Sequence, residues 1–564
     1  MFIRKVTHQY PSGPVDYLYL VEGYRDGKRV RQRVVVNFGR ADVLAEHLDR
    51  LIQLLRPHVG AAPAAASAIE APQALTYGPV AVARQLWTHL GLDALITRAC
   101  GADVAERSFV LVAHRLLHPG SEHALAWWLE ESFVADGEGR RLLPHWEARG
   151  RGRVASRQLQ QWYRTLDALV GAKAQLETEL YLRLRDLFGL QVDVVFFDLT
   201  STYFEGAGPA ELARHGHSRD GRPRNRQILV GVVMASGWPI ASYVFEGHRQ
   251  DRQTVEEILS DVRTRFAVQR VVWVADRGMV SDDTLAVMTQ GEDHYLVGLR
   301  RRRSPTAQAV LAAAKRTLRQ PLPEGGELSE VQLAGDPVRY IVVWSPERLL
   351  FERALRRQDM RRCRDELHKL QRAVSRGTLT AREKIGARVG RILAQHRGTR
   401  YFAWALTPAG AFRFWVDRAK LRAERRLEGT YLLQTNDATL TAVQAVATYK
   451  DLQTVERAFH ALKDTLAVRP IYHQTETRVR GHLFVAHLAL VLGCALEKTL
   501  RRAGLTMALE TALAALRPVR LVTLELGETS LQVVTRPTTH AQAVLKAVGL
   551  GRLRPPGECS ENAS

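Results

Sequence analysis

Short runs rich in apolar, aromatic and β-branched residues occupy positions 17–21 and 31–36. Together with the Asp-Gly turn signal between them, these runs predict a β-hairpin near the start of the chain. We therefore expect a small basic β unit over residues 1–58. An alanine-rich stretch with little to pack follows it, and we expect a linker over residues 59–75.

The spacing of apolar residues then becomes helical over residues 76–186, with charged side chains on the opposite faces, and predicts a mostly helical region. Residues 187–299 change period again, to continuous apolar runs typical of buried strands and one amphipathic segment. They predict three strands, a helix and a further strand, at residues 192–198, 227–234, 239–245, 254–266 and 270–276. This is the element order of a ribonuclease-H-like core, so we predict the α/β class with a mixed sheet.

A strongly basic segment interrupts this core pattern. Residues 300–400 contain four consecutive arginines and a long arginine-rich helical stretch, and we expect them to form an inserted subdomain. A strand signal at residues 429–435 restores the core pattern. We therefore expect the second part of the core over residues 401–500 and a C-terminal region over residues 501–564.

Length and charge narrow the class of protein. A chain of 564 residues is longer than one hydrophobic core usually organises, so several domains are expected. The chain has 80 Lys and Arg residues against 59 Asp and Glu residues, a formal net charge of +21. So large a positive charge indicates a partner of dense negative charge, for which nucleic acid is the first candidate and a membrane surface the second.

Other patterns argue against a membrane protein and against a disulfide-rich one. The longest apolar run, residues 483–496, is interrupted by His487 and is shorter than the roughly 20 residues that span a bilayer. No signal-peptide pattern opens the chain, so we expect a cytosolic protein. The four cysteines are far apart and form no Cys-x-x-Cys pair, which indicates neither a disulfide framework nor a thiolate zinc site.

One segment spaces three polar side chains evenly. Tyr449, Glu456 and Lys463 follow each other at seven-residue intervals, about two helical turns, so a helix here places them on nearly one face. An ordinary amphipathic surface helix accounts for the same pattern. A second stripe of this segment is apolar and suited to packing on a core, with Leu452, Val455, Phe459 and Leu462.

Two aspartates, Asp198 and Asp276, end apolar runs that predict buried strands. A carboxylate at the end of a buried strand costs free energy unless it is paired, hydrogen-bonded or bound to a metal ion. Each aspartate alone is equally well explained by a turn or by a helix cap. Together with Glu456 they make three carboxylates, the oxygen-rich donor set that Mg²⁺ or Mn²⁺ prefers.

These residues are similar to the pattern of a known family. The chain resembles the DDE transposases of bacterial insertion sequences, in the branch marked by a Tyr-x2-Arg-x3-Glu-x6-Lys signature. Tyr449, Glu456 and Lys463 satisfy this spacing, and Leu452 stands where the signature has Arg. Three flanking segments also resemble the family, at residues 198–202, 275–279 and 469–473.

The resemblance implies a ribonuclease-H-like catalytic core and a DNA-joining reaction. It implies that Asp198, Asp276 and Glu456 are the catalytic residues and hold two Mg²⁺ or Mn²⁺ ions. In the implied reaction water first cuts DNA at the end of the element, and the freed 3′-hydroxyl then attacks target DNA. Tyr449 and Lys463 are expected to contact phosphates near the cut.

The resemblance also implies the partners. They are the double-stranded DNA of the element ends and of the target, and a second copy of the chain, since two ends must be held together. The helical region is expected to bind the terminal repeats. Clustered arginines neutralise phosphates, so Arg300, Arg301, Arg302 and Arg303 are expected to bind DNA. The expected location is the bacterial cytoplasm, in association with the nucleoid.

Two other functions stay open from the sequence. A ribonuclease-H-like nuclease that only hydrolyses DNA uses the same three carboxylates, and a catalytically degenerate DNA-binding protein keeps the same fold. The large N-terminal region and the insertion favour the transposase, because a simple nuclease needs neither end recognition nor pairing of ends.

Overall fold

The computed structural model describes most of the chain. The described residues are 2–10, 13–26, 29–43, 69–136, 139–144, 156–188, 194–216, 218–249, 251–266, 272–275, 285–286, 289, 293–299, 301–302, 304–526 and 529–556.

The β-strands of the described residues are numbered in chain order. They are β1 Phe2–Tyr10, β2 Gly13–Asp26, β3 Arg29–Arg40, β4 Ile69–Thr76, β5 Val194–Tyr203, β6 Gln227–Ala235, β7 Trp238–Glu246, β8 Val272–Ala275, β9 His294–Leu299, β10 Gln320–Pro321, β11 Glu327–Gln332, β12 Arg339–Trp344, β13 Phe402–Leu406, β14 Phe412–Val416, β15 Thr430–Thr435, β16 Arg520–Leu526 and β17 Thr529–Val534.

The α-helices are numbered in the same way. They are α1 Gly78–His89, α2 Leu92–Cys100, α3 Ala102–Leu117, α4 Ala124–Glu131, α5 Ser156–Phe188, α6 Asp251–Phe266, α7 Pro305–Ala314, α8 Pro346–Ser375, α9 Arg382–Gln395, α10 Arg418–Leu427, α11 Ala442–Lys450, α12 Gln453–His460, α13 Glu476–Arg502, α14 Leu509–Leu516 and α15 Thr539–Ala547.

The chain forms two compact units. Unit 1 comprises residues 1–191, 199–249 and 456–564, and unit 2 comprises residues 192–198 and 250–455. The chain therefore passes between the units several times, once within β5.

Unit 1 begins with an antiparallel sheet of strand order β1-β2-β3. The runs at residues 17–21 and 31–36, from which the sequence predicts strands, lie in β2 and β3.

A second sheet of unit 1 joins segments from opposite ends of the chain. β16 lies between β17 and β4, and Leu521 of β16 pairs with Leu75 of β4. Both leucines are buried, so the pairing also closes a small apolar cluster. The linker expected over residues 59–75 is therefore wrong for residues 69–75, which form β4, and the rest of that segment lies outside the described residues.

The helical core of unit 1 is organised around α13. This helix packs against α3, α5 and β7. Gly481 permits the close approach to α5, because a Cβ at that position would lie 2.7 Å from the Cβ of Leu166. By length and composition α13 suffices to cross a membrane, with a mean hydropathy of 1.7 in its most apolar window, but 89% of that window is buried within the protein. Such burial is that of a core helix.

β6 and β7 of unit 1 form a hairpin. Its turn holds Ser236 at a φ of 47° and Gly237 at a φ of 73°, the two positive values that a type I′ turn requires. Every residue of β6 is buried, and most of β7 is buried as well. The two strands that the sequence predicts at residues 227–234 and 239–245 are confirmed.

Unit 2 is built on a mixed sheet. Its strands follow the order β10-β11-β12-β15-β9-β8-β5, in which β8 is parallel to both β5 and β9 and the other neighbours are antiparallel. The predicted order of three strands, a helix and a strand is found as β5, β6, β7, α6 and β8. The prediction of an α/β protein with a ribonuclease-H-like mixed sheet is thus confirmed.

Residues 300–400, which we expect to form one inserted subdomain, do not form a single separate body. Strands β10 to β12 extend the sheet of unit 2, since β12 pairs with β15. The segment of chain that connects β12 to β15 forms a small core of its own. α8, α9, β13 and β14 enclose this core, which includes Cys363, Leu367, Val389 and Phe402. α10 follows it with four arginines, one lysine and no buried residue.

Candidate active site

Asp198 lies within β5 and not at its end, because the strand continues to Tyr203. Its neighbours Phe197 and Leu199 are buried, whereas Asp198 itself is half-buried. The described pairing of β5 with β8 ends two residues before it, at Phe196. Asp198 therefore stands in the part of the strand that follows this pairing.

The second expected aspartate, Asp276, lies outside the described residues, immediately after the last residue of β8. The register of β5 and β8 has the same spacing as the two aspartates have along the chain. Val194 pairs with Val272, and Phe196 with Val274, so each residue pairs with the one 78 positions later. Asp276 follows Asp198 by the same 78 positions.

The helix expected to carry the signature residues is interrupted. α11 ends before α12 begins, and a π-helical turn, residues 461–465, follows α12. At the break the backbone N–H and the hydroxyl of Thr454 both donate to the carbonyl oxygen of Asp451, at 2.8 and 2.6 Å, which starts the new helix. The expectation that Tyr449 shares one continuous helical face with Glu456 is therefore wrong.

α12 buries one face and exposes Glu456. The apolar stripe that the sequence predicts is confirmed, since Leu452, Val455, Phe459 and Leu462 are all buried. Leu452 is 7% exposed, so the position of the signature Arg here faces the protein interior.

Tyr449 lies near the end of α11, in unit 2, and is half-buried. Its ring stacks on Tyr431 of β15, with ring centroids 6.2 Å apart and an angle of 24° between the rings. Burial raises the pKa of Tyr431 to about 12. The stack fixes the orientation of the Tyr449 ring on unit 2.

Lys463 lies in the π-helical turn and belongs to an ion-pair network of unit 1. Its Nζ lies 2.7 Å from Oδ1 of Asp220, and Nη1 of Arg469 lies 2.5 Å from the same oxygen. Nη2 of Arg469 donates to Oδ1 of Asp464 at 2.8 Å. Sequence reasoning did not find Asp220, because 243 residues separate it from Lys463.

The described members of the arginine run are paired within unit 2. Arg301 is 4% exposed, and its Nη2 donates to Oε1 of Glu352 at 2.6 Å. Arg302 pairs with Glu424 at 3.0 Å. These contacts favour a structural role for Arg301. The described residues do not include Arg300 and Arg303.

A second group of residue types that bind metals lies in unit 1. Ligand atoms of Glu122, His473 and His482 all lie within 4.8 Å of one another. Nε2 of His482 donates to the carbonyl oxygen of Val468 at 3.1 Å, and its Nδ1 accepts from Nη2 of Arg115 at 3.2 Å. Both ring nitrogens are therefore engaged, and the buried Arg115 already supplies positive charge beside Glu122. This set fits a hydrogen-bonded structural network better than a metal site.

Burial also sets the charges of this network. Desolvation and the neighbouring Arg115 lower the pKa of His482 to about 3, and that of the nearby His114 to about 3. Burial alone would raise the pKa of Glu122, but the hydrogen bond and charge of His473 outweigh it and hold that pKa below its ordinary value. The imidazoles of His482 and His114 are therefore neutral, and the carboxylate of Glu122 is ionised.

The three expected catalytic residues provide a different donor set. Asp198, Asp276 and Glu456 offer carboxylate oxygens only, and Mg²⁺ and Mn²⁺ prefer oxygen ligands over nitrogen or sulfur. Of the two that are described, Asp198 is half-buried and Glu456 exposed, which suits an ion that retains part of its water. The residue types therefore fit a divalent ion of this kind.

Two family models match the chain. The model of the N-terminal domain of IS1634 family transposases matches residues 3–64, and the model of the transposase DDE domain matches residues 192–492, more than half of the chain. The insertion-sequence DDE transposase resemblance drawn from the sequence is thereby confirmed. A DDE domain implies dependence on a divalent metal ion.

Curated proteins give no match to this chain. Among solved structures, the chain is similar to the piggyBac transposase in a synaptic complex with hairpin DNA, determined by cryo-electron microscopy. The identity is 8%, the match covers 78% of this chain and 79% of that chain, and the TM-score is 0.35. The assignment of the family rests on the two family models and not on this likeness.

Proposed function

This chain belongs to the DDE transposase family and is a DNA transposase, and we propose that it cuts DNA at the ends of an insertion sequence and joins the freed 3′-hydroxyl to target DNA. The proposal assigns catalysis to Asp198, Asp276 and Glu456, as the family pattern implies. Its substrates are then the terminal repeats of the element and a target duplex.

The register of β5 and β8 is the observation that supports this assignment. The register pairs each described residue of β5 with the residue of β8 that lies 78 positions later, and the same 78 positions separate Asp198 from Asp276 along the chain. Neighbouring strands are about 4.8 Å apart, a distance at which two carboxylates can share an ion. Glu456 joins this pair in the proposal because of its place in the family signature.

We propose Mg²⁺, or Mn²⁺ in its place, as the metal, with two ions per site. When bound, the ions would activate the attacking oxygen and neutralise charge that gathers on the phosphate. The task of the chain is to fix the three carboxylates. The buried neighbours of Asp198 hold β5, and the buried Val455 and Phe459 hold the helix that carries Glu456.

Two further side chains are proposed to bind phosphate near the cut. Lys463 offers a compact positive charge, and Tyr449 offers a hydroxyl and an aromatic face. Each is already oriented within its own unit, Lys463 by Asp220 and Tyr449 by Tyr431.

The partners and location follow from this chemistry. We propose that two copies of the chain act together, since two element ends have to be held at once. The helical residues 76–186 and the arginines Arg300, Arg302 and Arg303 are proposed to bind DNA, for which the charge of +21 is the supporting observation. Arg301 is left out of this proposal because its side chain is buried and paired with Glu352. The bacterial cytoplasm, beside the nucleoid, is the proposed location.

The test uses purified full-length protein, DNA carrying the element ends, a target plasmid and Mg²⁺. Asp198→Asn and Glu456→Gln should bind the end DNA as the unchanged protein does, yet give neither nicks nor joined products. Asp365→Asn is a suitable control, because Asp365 is an exposed aspartate of α8 that lies outside the residues proposed to bind DNA or metal. It should cut and join normally.

The products separate the proposal from its rivals. Joined products identify a transposase, cuts without joining identify a nuclease, and retardation of DNA without cuts identifies a binding protein. Cutting by Asp198→Asn at the unchanged rate would remove this residue from the active site.

A further inference from the structure

We propose that Asp220 is a positioning residue for Lys463. Asp220 accepts one hydrogen bond from the ammonium group of Lys463 and leaves the other N–H donors of that ammonium group directed to a DNA phosphate. This inference rests on the proposed contact of Lys463 with phosphate. It adds a residue that neither the family signature nor the sequence pattern assigns to the site.

The geometry of one carboxylate oxygen carries the argument. Oδ1 of Asp220 accepts from Nζ of Lys463 at 2.7 Å and from Nη1 of Arg469 at 2.5 Å. An ammonium group has three donors, and this contact uses one of them. Lys463 is thus tethered at its charged end and retains donors for a second acceptor.

Burial makes the tether strong. The side chain of Asp220 is 4% exposed and that of Lys463 is 13% exposed, although lysine side chains are usually well exposed. Charge-assisted hydrogen bonds are stronger where water is excluded, so a lysine held in this way moves less than one on an open surface. The second carboxylate oxygen of Asp220, Oδ2, is buried and has no hydrogen-bond partner in the described part of the chain.

The remaining charges hold Asp220 in turn. Arg469 contacts Asp220 through Nη1 and Asp464 through Nη2, so it braces the aspartate from a second direction. Lys463, Asp220, Arg469 and Asp464 together alternate in sign and sum to zero. Removal of the charge of Asp220 would leave two cations facing each other, which would drive Lys463 away from its present position.

The loop that carries Asp220 is fastened to β5. The backbone N–H of Arg219 donates to Oγ of Ser201 at 2.9 Å, and Ser201 follows Asp198 by three residues in the same strand. Gly221 continues the turn at a φ of 67°. Asp220 therefore connects Lys463, which follows Glu456 by seven residues, with the strand that contains Asp198. A residue at this junction is well placed to set the position of a phosphate contact.

The experiment measures how the affinity for end DNA depends on salt concentration. The logarithm of the binding constant falls linearly with the logarithm of the salt concentration, and each phosphate contact adds about 0.9 to the magnitude of this slope. A lower slope means a smaller magnitude. Lys463→Gln should lower the slope by about that amount. Asp220→Asn, which keeps an acceptor but removes the charge, should lower the slope to the same extent, and the double variant should resemble either single one.

Asp293→Asn is the matched control. The side chain of Asp293 is also 4% exposed and pairs with an arginine, Arg263, so its substitution likewise removes a buried charge. It should lower the thermal stability but leave the salt slope unchanged. If the role of Asp220 is purely structural, Asp220→Asn should likewise lower the thermal stability and leave the salt slope unchanged.

Three outcomes would overturn the inference. These are an unchanged slope in Asp220→Asn, a further loss in the double variant beyond that of Lys463→Gln, and tighter binding in Asp220→Asn, which would make Asp220 a competitor of phosphate. If the unchanged protein cuts and joins DNA, each of these outcomes refutes the positioning role alone. A protein that binds no end DNA at all refutes both this inference and the proposed function.

Discussion

Phe196 of β5 and Val274 of β8 are register partners on parallel strands, and each precedes an expected catalytic aspartate by two residues. If the aspartates form one metal site, they act as a unit. Asp198→Asn and Asp276→Asn should each lower the cleavage rate by about 10³-fold or more, and the double variant should be little worse. Single-turnover cleavage of labelled end DNA measures this. If the fold-losses in cleavage rate of the two single variants multiply in the double variant, the two aspartates act at independent sites.

Removal of the metal ion separates binding from chemistry. With a chelator in excess, we expect retardation of end DNA to persist and cleavage to cease, because the carboxylates contribute to cutting only with a divalent ion bound. Added Mg²⁺ or Mn²⁺ should restore cleavage, since both prefer oxygen ligands. Cleavage that continues in the chelator would contradict the oxygen-donor site.

Leu452 offers a test of the departure from the family signature. Because its side chain is 7% exposed, we expect Leu452→Arg to lower the free energy of unfolding by about 3 kcal/mol through burial of an unpaired charge. The apolar control Leu452→Met should lose less than about 1.5 kcal/mol. Chemical denaturation measures both. A stable Leu452→Arg protein with faster cleavage would show that the signature Arg can be accommodated here.

The pair of Arg301 and Glu352 should contribute to the stability of unit 2. Arg301→Gln leaves the charge of Glu352 without this partner, and we expect a loss of about 3 kcal/mol in the free energy of unfolding. Arg302→Gln is the control, because that side chain is 32% exposed and its ion pair should contribute less than about 1 kcal/mol. Unchanged stability of Arg301→Gln with weaker DNA binding would instead assign Arg301 to the DNA interface.

Acid should destabilise unit 1 through its buried histidines. The pKa of His482 is about 3 in the folded protein and near 6.5 when exposed, so the unfolded chain binds a proton that the folded protein excludes. Stability is therefore full above pH 6.5 and falls as the pH drops from 6.5 toward 3. His482→Gln should reduce the proton uptake on unfolding by about one, as measured from the pH dependence of denaturation midpoints. An unchanged pH dependence would contradict a neutral His482.

The spacing of apolar residues and the turn residues predicted those elements whose structure is determined by residues close together in the sequence. The β6–β7 hairpin follows from two apolar runs around a Gly237 turn, and the buried face of α12 follows from the spacing of Val455 and Phe459. The family signature pointed to Glu456 and Lys463 independently of the fold.

Contacts between distant segments, and the hydrogen bonds of one local turn, explain what the sequence could not predict. β4 is a strand because β16 pairs with it, and its own residues, read alone, suggested a linker. The break before α12 depends on two hydrogen bonds to the carbonyl oxygen of Asp451, which residue spacing does not reveal. The run of arginines predicts a DNA contact at Arg301, whereas its side chain is buried and paired with Glu352 from a distant helix.

The pairing of Leu75 with Leu521 has a consequence for biosynthesis. Since ribosomes make proteins from the N-terminus, β4 emerges before β16, which begins 444 residues after the end of β4 (520 − 76 = 444). During that interval the edge of β4 is open to other strands. A prematurely terminated product never acquires its partner, so we expect aborted copies of this transposase to aggregate or be degraded instead of competing with the full-length protein for DNA.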